Sequence, residues 1–382
     1  MAKVAKYEIR EGGILDSFKE LFAAVLQMDD VDAVLVPQQL PGKKTVMPTL
    51  VSDPGALEGL NPLAPAFPMN AAKIVSRLSR KPLERKLAVL LRPCEVRAFV
   101  ELVKLKQGRF EDLIVLSCDC LGAYRNTDFM RICGDNIAET SLQFFRNALA
   151  GEIEIEDGVD IAPACRACEH PVAQAADITI GFVGVDPEQA FVLIGQSQRG
   201  DELLERLDLD TGQMPAQREE ALKVLVEKRT AARDAMIADT RAAVESLEKL
   251  TEYLAGCVNC YNCRVACPVC YCKECVFVTD VFNHLPSQYL QWARRKKMIK
   301  MPTDTVFYHL TRLAHMSTAC VGCGQCSNAC PNEIPVMELF RTIAGRTQKA
   351  FEYEAGRDVE EKPPLSEFRE KEFSDVVGIQ AN

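Results

Sequence analysis

The sequence predicts an α/β N-terminal domain, a long helical connector and a mostly α-helical, cysteine-rich C-terminal domain. Three observations carry that expectation. VDAVLV (31–36), KLAVLL (86–91) and DLIVLS (112–117) are short Val- and Leu-rich runs of strand length. Between Ala216 and Leu254 apolar residues recur at helical spacing, with Glu, Lys and Arg between them. The 17 cysteines fall into two groups, at 94–168 and 257–330, with none between.

The N-terminal elements follow from pattern. EVRAFVELVKLKQ (95–107) lies between two of the strands and places Val96, Phe99, Val100 and Val103 mostly on one side. Strand, helix and strand within so short a span predict a parallel βαβ unit. Two more strands are expected at ITIGFVG (178–184) and AFVLIG (190–195). Pro-rich DPGALEGLNPLAPAFP (53–68) reads as a long loop, of the kind that is often functional. The connector is one long helix or a helical hairpin, ended by Gly256. A partner-binding coiled coil is the other reading of that repeat.

A chain of 382 residues buries a core without disulfides, so the cysteines need a chemical explanation. Net charge is −9 and no Gly-rich Walker loop occurs, which argues against nucleic acid and nucleoside triphosphates. No apolar run is long enough to span a bilayer and the first residues do not form a signal peptide, so a cytoplasmic protein is expected.

Cys257, Cys260, Cys263 and Cys267 form CVNCYNCRVACP, and Cys320, Cys323, Cys326 and Cys330 form CVGCGQCSNACP. Each is C-x2-C-x2-C-x3-C-P, the pattern of two-cluster ferredoxins, in which the fourth cysteine of each run ligates the other cluster. One [4Fe–4S] cluster is thus expected on Cys257, Cys260, Cys263 and Cys330, and a second on Cys320, Cys323, Cys326 and Cys267. Structural zinc usually takes two separated pairs and fits less well. The insertion between the runs, 268–319, carries two expected helices, SQYLQWARRKKMI and DTVFYHLTRLAHMS. Its basic run, Arg294 to Lys297, is either a solvated face or a docking site for an acidic redox partner. His309 and His315 are expected to pack or to hydrogen-bond a cluster sulfur instead of ligating. Cys270, Cys272 and Cys275 have no fourth ligand nearby and read as reduced thiols, with another metal as the alternative.

In the N-terminal half LLRPCEVRAFVEL, VLSCDCLGAY and CRACEHPVAQAADITIGFVG occur in that order. Together, over about residues 10–200, they resemble the coenzyme F420 hydrogenase/dehydrogenase beta subunit family, which includes the beta subunits of F420-reducing hydrogenase and formate dehydrogenase. The resemblance implies FAD beside a third [4Fe–4S] cluster, with electrons passing between a two-electron carrier and partner clusters. It carries over to Cys94, Cys165 and Cys168. SCDC offers both Cys118 and Cys120 as fourth ligand, and Cys120 is chosen because it begins the loop. Cys133 reads as a buried thiol. Gly181 and Gly184 are candidate flavin contacts, with ordinary strand and turn glycines as the alternative.

The family members compared carry their ferredoxin module at the N-terminus, whereas here it stands at the C-terminus. Its long insertion resembles the 4Fe–4S modules found in the C subunit of heterodisulfide reductase and in the A subunit of anaerobic sulfite reductase. CEHP also departs from the continuation usual in deazaflavin-using members, which leaves NAD(P)H open as the carrier beside coenzyme F420. The absence of GxGxxG argues against a standard Rossmann site.

The expected organisation is a flavin and Fe–S domain at 1–212, a connector at 213–256, a dicluster domain at 257–345 and a charged arm at 346–382. The arm, with Phe368 and Phe373, is either a mobile tail or a segment that wraps a partner subunit. The expected function is an iron–sulfur flavoprotein subunit of an anaerobic redox complex. Its expected partners are a formate dehydrogenase or hydrogenase catalytic subunit, or a heterodisulfide-reductase-like flavoprotein. The alternative is a flavin-free electron conduit.

Overall fold

In the computed structural model, residues 3–151, 158–272, 274–282, 284–299 and 304–367 are described. Phe368, Phe373 and the last part of the arm lie outside them. Seven strands form one sheet in the order β1-β7-β6-β5-β4-β2-β3. They are β1 (Val4–Glu8), β2 (Val31–Gln39), β3 (Val46–Val51), β4 (Lys86–Leu91), β5 (Leu113–Cys118), β6 (Ile178–Gly181) and β7 (Ala190–Gly195). β2, β4, β5 and β6 run parallel; β3 pairs antiparallel with β2, β7 antiparallel with β6, and β1 antiparallel with β7, which brings β1 back to the direction of the central strands. The expected βαβ unit is therefore present as β4, a helix and β5, with Leu87 opposite Leu113 and Leu91 opposite Ser117.

The central strands read as unbroken apolar runs because both faces of the sheet are covered. Val34, Ala88, Leu90, Ile114, Leu116, Ile178 and Ile180 point into one core. There they meet α1 (Ile14–Leu26), which buries Phe18, Leu21, Phe22 and Val25. The alternate residues Ala33, Leu35, Leu87, Val89, Leu113 and Val115 point the other way. On that face lie α2 (Ala72–Leu78) and α3 (Pro93–Lys104), and the C-terminal cysteine-rich part packs into the same core through Tyr308, Leu313, Leu339 and Phe340.

Four short or medium helices follow: α4 (Asn126–Ile132), α5 (Ile137–Leu149), α6 (Pro163–Arg166) and α7 (Gln198–Arg206). The connector is α8 (Arg218–Ala243) and α9 (Leu247–Tyr253), separated by a break at which Ser246 Oγ accepts from Lys249 N and caps α9. α8 buries only Arg218, Arg229 and Thr240, so one face recurs every eleven residues. That face runs from the ends of β5 and β6 toward α14 (Val336–Ala350) in the C-terminal part. The remaining helices are α10 (Asn262–Ala266), α11 (Pro286–Lys296), α12 (Thr305–Met316), α13 (Gln325–Asn328) and α14 (Val336–Ala350).

The start of the arm is docked. Tyr353 Oη donates to Glu101 Oε1 at 2.6 Å, Gly356 N donates to the same oxygen at 2.8 Å, and Arg97 Nη2 donates to Ala355 O at 2.7 Å. Gly356 has φ +78°, and a Cβ there would lie 2.5 Å from Arg97 O, so only glycine lets the arm pass this close.

Candidate iron–sulfur centres

Cys94 sits in the first turn of α3, behind Pro93. Glu95 fixes that turn: its Oε2 accepts from Arg92 N at 2.8 Å and its Oε1 from Ala71 N at 2.7 Å. Cys165 lies on α6, which also begins with a proline, and Cys168 follows it. Cys120 is held by its own N–H, which donates to Pro171 O at 2.8 Å, and by its carbonyl, which accepts from Arg229 Nη1 at 3.1 Å.

These four thiols share one neighbourhood. Burial pushes the Cys94 thiol well above its ordinary value, and the thiols of Cys323, Cys120 and Cys168, with the Glu95 carboxylate, push the same way. Burial also pushes Cys165 up to about 12, with Cys120 and Cys168 adding to it. Crowded thiols that resist ionisation are the donor set a metal centre neutralises, because the cation makes thiolates of them. Cys118 ends β5 and is acted on by Cys120. Cys133 is buried in the apolar core beneath α1.

The C-terminal runs sort in the crossed manner. Cys257 is acted on by burial and by Cys263, Cys330 and Cys260. A narrow cavity is lined by the same four residues, Cys257, Cys260, Cys263 and Cys330. Cys267 instead acts on Cys320, Cys323 and Cys326. Among the described residues no three His, Cys, Asp or Glu side chains converge as a single metal ion requires.

The second run is seated against the N-terminal set. Gly324 has φ +79°, and a Cβ there would lie 2.4 Å from Ala164 Cβ, beside Cys165. Gln325 Nε2 and Asn328 Nδ2 both donate to Phe67 O, at 2.9 and 3.0 Å, which ties the run to the Pro-rich loop. The N-terminal set and the second run are thus neighbours, since Cys323 acts on Cys94, and Cys267 of the first run reaches the second.

α12 lies against the first set. His309 Nε2 is 3.4 Å from Cys257 Sγ, Tyr308 Oη is 3.4 Å from Cys263 Sγ, and Arg312 Nη1 donates to Cys263 Sγ at 3.2 Å. His309 thus contacts a cluster cysteine, while His315 is exposed. Burial and the Arg312 charge hold the His309 imidazole down at about 4. Cys270 is half-buried beside Cys267, burial pushes its thiol up to about 11, and Cys272 is exposed. Arg294 to Lys297 are exposed and make no ion pair with a described residue; α11 buries none of its residues.

The sequence missed the anchor of α8. Arg218 Nη1 and Nη2 donate to the Asp119 carboxylate at 2.5 and 2.7 Å, and Asp119 Oδ2 also accepts from Phe182 N and Val183 N, at 2.8 and 3.0 Å. The same pair packs against Gly181 and Gly184. A Cβ on Gly181 would lie 2.8 Å from Arg218 Nη1, and one on Gly184 (φ +77°) 2.5 Å from Arg218 Cα. The close approach that these glycines permit is made by the protein's own helix. A second missed feature is Glu169, between Arg233 (3.1 Å), Arg341 and His170 (3.6 Å). It ties α8 and α14 to the turn that carries Cys168.

Two cavities adjoin at Phe145, which lines both. One is lined by Pro62, Leu63, Arg92, Cys118 and Cys120 among others. The other, about 480 Å³, is lined by Gly12, Gly13, Leu60, Asn61 and Arg146 among others. Successive residues of the loop thus line one cavity and then the other. Arg92 Nη1 and Asn61 Oδ1 are buried without a partner among the described residues.

Comparison with known proteins follows the same division. Residues 84–220 match the family described as the C terminus of the coenzyme F420 hydrogenase/dehydrogenase beta subunit, and residues 315–336 match a 4Fe–4S binding domain. The chain thus matches both domain models and, as an oxidoreductase subunit, is similar to such beta subunits. It is 26% identical over 370 residues to the F420-dependent formate dehydrogenase subunit beta of Methanocaldococcus jannaschii, covering 90% of this chain and 92% of that one. A match of that span runs through both halves of the chain in the same order. It is 25% identical over 308 residues to the F420-dependent formate dehydrogenase 1 subunit beta of Methanococcus maripaludis, covering 74% and 76% of the two chains. A chain of the F420-reducing [NiFe] hydrogenase complex from Methanosarcina barkeri aligns with a TM-score of 0.43 and 14% identity, over 65% of this chain and 93% of that one. Among the described residues no helix is long and apolar enough to cross a membrane.

Proposed function

We propose that the chain is the electron-transfer subunit of an anaerobic redox complex, holding three [4Fe–4S] clusters and FAD. Its clusters are assigned to Cys94, Cys120, Cys165 and Cys168; to Cys267, Cys320, Cys323 and Cys326; and to Cys257, Cys260, Cys263 and Cys330. The observation that carries this reading is the sorting of these thiols into mutually acting sets, with Cys323 acting on Cys94 where the second run meets the N-terminal set. Neighbouring centres suit passage of electrons, and each can be tuned by charge, burial and hydrogen bonds to sulfur. The proposed domains are 1–212, 213–256, 257–345 and 346–382.

The residues that would hold FAD border the two adjoining cavities. Arg92 offers an unused donor and Asn61 an unused acceptor, which suits a ring edge bearing both C=O and N–H groups. Gly12 and Gly13 precede the N-terminus of α1, where backbone N–H groups favour an anion such as a diphosphate. When bound, a flavin supplies the conversion between two-electron and one-electron transfer. The chain's own part is to keep Phe145 and the 60–63 loop around it and to hold Cys118 and Cys120 close by.

The two-electron carrier is coenzyme F420, as in the names of the relatives, with NAD(P)H as the other candidate. The partners are a formate dehydrogenase or hydrogenase catalytic subunit, or a heterodisulfide-reductase-like flavoprotein, and the exposed basic run on α11 suits an acidic face of one of them. The filled space at Gly181 and Gly184 favours one alternative, a flavin-free conduit. Stopped-flow mixing of the anaerobic holoprotein with reduced F420 or NADH tests the reading. Bleaching near 450 nm by one donor, followed by cluster bleaching, is expected. A chain that purifies with clusters but without flavin, and that neither donor reduces, makes it the conduit.

A further inference from the structure

We propose that Arg312 raises the reduction potentials of both C-terminal clusters together, so that the pair can hold two electrons at once. The inference rests on the cluster reading above and adds to it a residue outside every cysteine run. Arg312 lies on α12, inside the insertion between the runs. Nη1 donates to Cys263 Sγ and Nη2 to Cys263 O, both at 3.2 Å, which fixes the guanidinium on the first set. The helix it grips, α10, ends at Cys267 and packs on α13, which carries Cys326, so the guanidinium is also held close to the second set; both of those thiols favour its charge. One cation therefore serves two centres.

The surroundings keep that charge undiluted. Arg312 is 4% exposed, and its guanidinium lies 4.6 Å from the Phe340 ring centroid and 5.6 Å from that of Tyr308. It makes no ion pair with a described carboxylate, and its Nε is buried without a partner among the described residues. Solvent and salt screen such a charge weakly. Reduction adds one negative charge to a cluster, so a fixed buried cation stabilises the reduced form of each. When both are reduced, the same cation offsets their mutual repulsion. A two-electron carrier delivers electrons in pairs, and a pair of clusters that can both stay reduced can empty it. Tyr308 and His309 also approach the first set, but neither side chain brings a positive charge to the second.

Arg312 is a positioning residue, and the test reads potentials instead of turnover. EPR-monitored redox titration of the anaerobic holoprotein compares the wild type with Arg312→Met and Arg312→Lys. Arg312→Met is expected to lower both midpoints, each by at least a tenfold change in the oxidised-to-reduced ratio, about 59 mV for one electron. The spin-coupled signal of the doubly reduced pair then needs a lower potential to develop. Arg312→Lys keeps the charge and is expected to hold both midpoints closer to wild type. Unchanged midpoints at full iron content overturn the proposal. So does a fall at one cluster alone, or a lysine variant that falls as far as the methionine variant. If Arg312→Met loses iron, Arg312→Gln removes the charge while leaving a donor for Cys263 Sγ, and the same two midpoints decide. A wild-type protein without clusters would instead sink the functional reading itself.

Discussion

Removing Asp119 should cost more than removing the arginine it binds. The Asp119 and Arg218 side chains are 0% and 5% exposed, and their two short hydrogen bonds anchor the first turn of α8 to the ends of β5 and β6. Arg218→Met leaves a buried carboxylate that still accepts from Phe182 N and Val183 N. Breaking a buried pair from one side costs about 3–5 kcal/mol, and those two donors place this variant at the lower end. Asp119→Ala leaves a buried guanidinium with only Val183 O to receive it, and it orphans two backbone N–H groups at about 1–3 kcal/mol each. The alanine variant should therefore be worse by about 2 kcal/mol or more. The double variant should fall below Asp119→Ala in cost, because no naked charge remains.

Far-UV circular dichroism of the anaerobic holoprotein, heated at one fixed scan rate, reads the order. At about 2–4 °C per kcal/mol, the two single variants should melt several degrees apart, both well below wild type. Because α8 also carries Arg229 onto the Cys120 carbonyl, the N-terminal cluster should bleach first in Asp119→Ala. Equal melting of the two single variants, or losses under about 1 kcal/mol, would refute the reasoning.

Three further outcomes are expected. Cys120→Ala should lose about four irons, whereas Cys118→Ala should keep them all, since Cys120 is the thiol that acts on both Cys94 and Cys165. Tyr353→Phe removes the 2.6 Å bond to Glu101 while Gly356 N remains on it; a loss of about 1–2 kcal/mol should appear as faster limited proteolysis after Phe351, with the cluster spectrum unchanged. Arg206 and Lys86 hold the Asp30 carboxyl well below the ordinary 3.8, so its contribution is full above pH 3.8 and is lost as pH falls through the lowered native value. The pair is partly exposed, so Asp30→Asn should cost only about 0.5–1 kcal/mol in low salt at neutral pH, and less in high salt, by urea titration.

The motifs and the central strands could be read because their physics is local. KLAVLL is β4 to the residue, since burial on both faces leaves no polar gap in the run. The cysteine spacing suggests how the C-terminal thiols group, and Cys330 does act on Cys257 while Cys267 acts on Cys320. What escaped depended on long-range contacts. β1 and β3 are antiparallel strands paired at or toward the sheet edges, and too short or too polar to stand out. The role of α8 was hidden because its buried residues are two arginines and a threonine, the types that a hydrophobic repeat discards. Its partner Asp119 is 99 residues away in the chain. That Arg218 packs against Gly181 and Gly184 is likewise a long-range contact that a sequence does not show.

Iron, acid-labile sulfide and flavin counted per chain, after anaerobic purification, test the central claim most directly. The account predicts about twelve irons, a matching number of sulfides and one FAD. Zinc in place of iron, or about eight irons with Cys94, Cys120, Cys165 and Cys168 all freely alkylated, would contradict it.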